Sequence, residues 1–237
     1  WHLVVLYQSV LRLTSEDAAE FLNRTMGLDL SVEDVTALER RTEGWIAGLQ
    51  LAAISLQGRE DISSFIQSFS GGHRLVLDFL IEEVLGQQSE SVQTFLLQTA
   101  ILDRLTGSLC DAVRFGRAET QSTSVGSALR QGRGSQQVLE ALDASNLFLV
   151  PLDEERRWYR YHHLFATFLR QRLRETHLAL VPELHRRASE WYEQNDHISE
   201  AINHATAASD TERVVRLVQE HALPTILQGQ VRTALGW

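Results

Sequence analysis

Apolar residues three and four positions apart recur through most of this 237-residue chain, a period that predicts amphipathic helices. Ala18, Ala19, Phe21, Leu22 and Met26 mark a first helix, with Ser15 as its cap, Glu16 and Asp17 in the opening turn and Gly27 at its end. Ser31 caps a second, in which Val32, Val35 and Leu38 recur and Arg40 and Arg41 suit the C-terminus. The stretch from Thr42 to Ala53 is apolar on nearly every side, so the third helix should be buried on most of them. Gly58 ends it, Ile62, Phe65, Ile66 and Phe69 mark a fourth, and Ser70-Gly71-Gly72 breaks the chain before a fifth carrying Leu75, Val76, Phe79, Leu80 and Val84. Val92, Phe95, Leu96 and Leu97 mark the next, and a short helix is expected from Ser108 to Phe115. Ahead of all these, Leu3-Val4-Val5-Leu6 has the composition of a short strand that alone has nothing to pair with.

The period changes in two places. Residues 116–137 are rich in Gly, Ser, Thr, Gln and Arg and poor in apolar positions, which predicts a solvated loop. After a helix from Val138 to Ser145, apolar residues Leu147 to Val150 and aromatic Trp158, Tyr159 and Tyr161 flank a charged turn, Asp153-Glu154-Glu155-Arg156. Two such runs about a turn predict a β-hairpin. A helix with Leu164, Phe165, Phe168, Leu169 and Leu173 on one face follows. Helix, helix, loop, helix, hairpin is the order of a winged-helix domain. From Leu180 three amphipathic stripes, one through Trp191 and Tyr192, one through Ile198 and Ile202, one through Val214 and Val218, are joined by tight links at Asp196 and Ser209-Asp210. These suggest the start of a tetratricopeptide-like α-solenoid. The expected fold class is thus mainly α: a helical bundle, a winged-helix domain with a small β-hairpin, and the first helices of a solenoid.

Composition narrows the function classes. Hydrophobic content of 43% and charged content of 22% are those of a globular chain. A net charge of −9 argues against a nucleic-acid-binding surface, and Gln136 to Asn146, the third helix of the winged helix, has Glu140 and Asp143 and no Arg or Lys. One cysteine, Cys110, gives no disulfide framework and points to a reducing compartment, the cytoplasm. No apolar run reaches the roughly 18 residues of a membrane span. The chain begins without Met and stops at Gly236-Trp237, as an excised piece of a longer protein would.

Two places carry candidate chemistry. His162 and His163 lie at the joint between hairpin and helix, where unpaired backbone N–H groups and the helix dipole favour an anion such as a phosphate. The alternative is that one packs or caps and the other is solvated. Consecutive helical side chains diverge by about 100°, which disfavours the two as joint metal ligands. Gly44 and Gly48, on either side of Trp45, leave room for close approach by a neighbouring helix or a planar ligand. The phosphate-loop pattern GxxxxGK[ST], GxSxG and HExxH are all missing from the sequence, so the chain itself is not expected to be an enzyme.

Four stretches in order, TEGWIAGLQLAAISL, FLLQTAILDRLTGSLCDAV, NLFLVPLDEERRWYRYHHLFATFLRQRL and ELHRRASEWY, resemble the MalT-like ATP-binding regulators of the LuxR class, signal-transduction NTPases of the STAND group. The resemblance covers roughly residues 11–237. It implies residues 1–14 as the tail of an NTPase core, 15–87 as a helical domain, 88–177 as a winged-helix domain and 178–237 as the first helices of a superhelical sensor. It also implies ATP or ADP as cofactor of the parent protein, a slow signalling ATPase, with an upstream NTPase domain, an inducer on the sensor and self-association. DNA would be met only through a C-terminal helix-turn-helix outside this chain. Gly44-Trp45 occupies the place of a Gly-Leu-Pro motif that lies against adenine in related NTPases, with Ile46 and Ala47 where a proline is often found. Tyr161-His162-His163-Leu164 is similar to their Met-His-Asp motif, which implies that His162 contacts the ADP β-phosphate, while His163 replaces the aspartate. The other reading is a structural helical adaptor that binds protein partners.

Overall fold

A computed structural model describes residues 13–57, 61–69, 74–121, 134–145 and 148–227. The expected strand at Leu3–Leu6, the breaks at Gly58 and Ser70-Gly71-Gly72, and Leu147 lie outside these residues. The fold is mainly α with one two-stranded sheet, as the periodicity predicts. The elements are α1 (Ser15–Ala19), continued by a π-helical turn Glu20–Thr25, α2 (Val32–Thr42), α3 (Ile46–Leu56), α4 (Ile62–Ser68), α5 (Arg74–Phe79) with a π-helical turn Leu80–Leu85, α6 (Glu90–Thr99) and α7 (Gly107–Gln121). Then come α8 (Ser135–Ala144), β1 (Leu149–Pro151), β2 (Tyr159–Tyr161), α9 (His163–His177), α10 (Val181–Gln194), α11 (Ile198–Ala207) and α12 (Thr211–Leu227). No described helix is long and apolar enough to cross a membrane.

Contacts divide the chain into two units. The first holds residues 1–90, 142–150 and 161–171, and the second 91–141, 151–160 and 172–237. In the first, Ser31 caps α2 as the sequence predicts, accepting the Asp34 N–H at 3.1 Å. The cap of α1 is Thr14 rather than Ser15. Asp17 stands three residues after Thr14 and returns its carboxylate to the Thr14 N–H at 3.2 Å, while Thr14 Oγ1 accepts the Asp17 N–H at 3.2 Å. Ser15 has Ala18 at that position and cannot close such a reciprocal pair. Leu22, Leu38, Leu49, Ala52, Ile66, Leu80, Phe165 and Phe168 form the dry core of this unit. Helix α3 is buried on most sides as expected, save one outward stripe on which Ile46 and Ile54 are 41% and 44% exposed, with Gln50 between them.

In the second unit, Phe95, Leu102, Leu109, Val113, Leu139, Tyr159, Leu184 and Ala188 are buried. Leu105 pairs with Tyr159 through reciprocal backbone bonds of 2.8 and 2.9 Å, which extends the hairpin by an antiparallel bridge. The low-apolar stretch is less of a loop than its composition suggests, since α7 runs to Gln121 and α8 opens at Ser135. Two long-range contacts account for this. The Asp111 carboxylate accepts the Ser135 N–H at 3.2 Å, capping α8 from another helix. Gly116, at φ 71, breaks α7, and Arg187 of α10 donates to the carbonyls of Val113 and Arg114 at 3.2 and 2.8 Å, near that break. The links between α10, α11 and α12 carry left-handed Asp196 and Ser209 (φ 61 and 59), and Asp210 caps α12 through the Arg213 N–H at 3.0 Å. On α8, Glu140 is exposed and bonded to Gln136 at 3.0 Å, with no cation on the helix. The chain is therefore expected not to bind duplex DNA specifically, because phosphate neutralisation supplies most such affinity. A salt-dependent mobility shift at submicromolar protein would contradict this.

Candidate functional site

In the first unit, the two places singled out in the sequence come together. His162 is 1% exposed. Its backbone N–H donates to the Phe148 carbonyl at 2.7 Å, the last rung of the hairpin, and its carbonyl accepts from Ala166 at 2.8 Å as α9 begins. The ring is held at both nitrogens. Nε2 lies 2.8 Å from the Thr42 carbonyl, and the Leu164 N–H points at Nδ1 from 3.3 Å. A carbonyl can only accept and an amide N–H only donate, so Nε2 carries the proton and Nδ1 the lone pair. The arrangement is that of a neutral imidazole.

Trp45 completes the neighbourhood. Its ring meets Phe148 edge-on at 4.9 Å, Phe79 at 5.7 Å and His162 at 6.1 Å. Both glycines face close neighbours within this unit. A Cβ on Gly48 would come within 2.5 Å of the Trp45 ring, and one on Gly44 within 2.4 Å of the Leu13 carbonyl oxygen. Gly48 therefore makes room for its own helix's tryptophan, and Gly44, at φ 71, for the backbone that precedes α1.

Glu43 was not among the residues singled out. It ends α2 in the left-handed region at φ 49, which turns its carboxylate toward the start of α9. Oε1 accepts from His163 Nδ1 at 2.8 Å and from the His163 backbone N–H at 3.4 Å. The two histidines also do not diverge as consecutive helical residues would. His162 precedes the helix, and the rings stack at 5.0 Å with an interplanar angle of 22°.

The remaining chemistry is structural in character. Burial pushes the Cys110 thiol well above its ordinary range, with Asp111 adding to the effect, so it stays protonated and unreactive. His185 and His204, far apart in sequence, meet at Nδ1···Nδ1 2.8 Å, and His204 stacks on Tyr192 at 5.3 Å. Arg213 bridges Ser189 and Glu193 across the helices that follow the winged helix.

The family model for the MalT winged helix domain matches residues 81–181. Over 233 residues, 98% of this chain, the sequence is 34% identical to the serine/threonine-protein kinase PknK of Mycobacterium tuberculosis, and covers 20% of it. It is 32% identical over 227 residues, 93% of the chain, to the HTH-type transcriptional regulator MalT of Yersinia pestis, and covers 23% of it. With the Klebsiella pneumoniae MalT it shares 30% identity over 214 residues, 90% of this chain and 22% of that protein. The chain thus spans about a fifth of the length of these relatives. Residues 81–181 form a MalT winged helix domain, and the chain as a whole is a MalT-like segment.

Proposed function

We propose that this chain is the switch segment of an ATP-dependent bacterial transcriptional activator, closing over bound ADP or ATP and coupling nucleotide and inducer state to self-association. The observation that carries the reading is the meeting of Thr42-Glu43-Gly44-Trp45 with His162-His163, 120 residues later. In the closed, ADP-bound state the β-phosphate takes the place of the Thr42 carbonyl as acceptor for the imidazole N–H. The Walker motifs lie upstream, the parent is a slow cytoplasmic signalling ATPase, the helices from Val181 begin a solenoid that receives the inducer, and a LuxR-type helix-turn-helix reads DNA. The similarity to PknK favours a second reading of the output alone, in which the same switch reports to a kinase domain.

The test uses the longer natural protein. Loaded with ADP it is expected to remain monomeric, and with ATP and inducer to self-associate, as followed by light scattering. An assembly state that ignores the nucleotide would sink the switch reading, while retained switching without promoter binding would favour the kinase output.

A further inference from the structure

Glu43, His162 and His163 are the one group of three or more metal-ligating side chains among the described residues whose ligand atoms lie together, all within 4.8 Å of one another. Their setting is that of a cation site. The His162 Nε2–H is given to the Thr42 carbonyl at 2.8 Å, and the Nδ1 lone pair faces the Leu164 N–H at a long 3.3 Å, a bond that a metal ion would replace. An imidazole that gives one N–H to a backbone carbonyl and offers the other nitrogen is held as metal-bound histidines are held. His163 Nδ1 and Glu43 Oε1 are 2.8 Å apart with one proton between them. Zinc–nitrogen bonds of about 2.0–2.1 Å place tetrahedral ligand atoms about 3.3 Å apart, so the His163–Glu43 pair opens by about half an ångström, and ligand atoms that stand up to 4.8 Å apart close on the cation that takes the place of that proton. The rings of Trp45 and Phe148 close on His162 at 6.1 and 6.0 Å and keep water from that side. The His163 and Glu43 side chains, 42% and 17% exposed, leave a way in.

The geometry points to a binding site for a borderline divalent cation of the zinc class, with Glu43, His162 and His163 as three protein ligands and a fourth position left to water or an anion. Two imidazoles and one carboxylate suit zinc, and magnesium prefers oxygen ligands. The ion ties the end of α2 to the start of α9 within the first unit, and it does so whether or not the nucleotide reading holds.

The test is titration of the purified chain with Zn²⁺ by calorimetry and with Co²⁺ by visible absorption. One equivalent is expected to bind with the intense absorption of tetrahedral cobalt. With zinc at a hundredfold excess over its Kd, the melting temperature should rise by roughly 5–10 °C. His163→Ala and Glu43→Gln, each first shown by circular dichroism to fold without metal, are expected to weaken binding at least about tenfold. His185→Ala, which removes the other close histidine pair, should bind as the parent does. Absence of binding, or binding unchanged in both His163→Ala and Glu43→Gln, overturns the proposal.

Discussion

Replacing His162 with alanine is expected to destabilise the first unit by about 2–4 kcal/mol and to speed ADP release from the longer protein roughly tenfold to a hundredfold. The first effect follows from burial. The ring is 1% exposed and packs near Trp45 and Phe148, so its removal leaves a hole beside two aromatic rings. The Thr42 carbonyl keeps the Trp45 N–H at 2.9 Å as a partner, while the Leu164 N–H loses its 3.3 Å acceptor, so two hydrogen bonds go with the packing. The second effect belongs to the proposed function. A hydrogen bond to a charged phosphate contributes about 1.5–3 kcal/mol, and its loss appears in the off-rate. His163→Ala is the comparison. Its ring is 42% exposed and paired with one carboxylate, a setting in which an ion pair contributes about 0–1 kcal/mol. Denaturant titration of the chain and nucleotide release from the longer protein separate the two effects. Equal ADP retention in the wild type and in a folded His162→Ala variant would leave His162 a packing residue.

Gly44→Ala should cost about 3 kcal/mol or more, the larger effect on stability for the smaller change in volume. A non-glycine residue held at φ 71 costs of order 1–3 kcal/mol. The added Cβ would also stand 2.4 Å from the Leu13 carbonyl oxygen, a backbone atom with little freedom to move aside. Relief requires the chain before α1 to shift, which breaks the 2.9 Å bond from the Leu13 N–H to the Gly44 carbonyl. That loss adds about 1 kcal/mol. The neighbouring left-handed residue, Glu43, turns with it, so the carboxylate leaves His163. Differential scanning calorimetry checks the first point, and the pH titration of the His163 ring resonances the second. A variant that melts with the wild type would mean that the chain before α1 is not held by Gly44.

Much of the fold is legible in the sequence because it is local. The caps Ser31 and Asp210, the hairpin about Asp153, and the stripes of α10 and α11 depend on residues within a few positions of each other. The cap of α1 is a local departure, since Thr14 and Asp17 are three residues apart, but others depend on residues far apart. Asp111 caps α8 from 24 positions upstream, and Arg187 reaches the carbonyls of Val113 and Arg114 from more than 70 downstream. At the site, His162, Gly44 and Trp45 stood out by residue type and motif. Glu43 did not, because an acidic residue near the end of a helix looks like any solvated one until its partner 120 residues away is known. The divergence of consecutive histidines holds inside a helix, and His162 lies one residue before it.

The division of the chain has a consequence for synthesis. The first unit does not end at Glu90 but takes residues 142–150 and 161–171 as well. A ribosome adding about 5–20 residues per second needs roughly 4–14 s to make the roughly seventy residues between Glu90 and Tyr161. Until then Trp45 waits without Phe148, the Thr42 carbonyl without His162, and the core of the first unit without Phe165 and Phe168. The nascent helical bundle thus has an incomplete core for several seconds in every round of translation, the condition in which exposed apolar surface invites aggregation, and a ribosome stalled in the winged helix would leave it open.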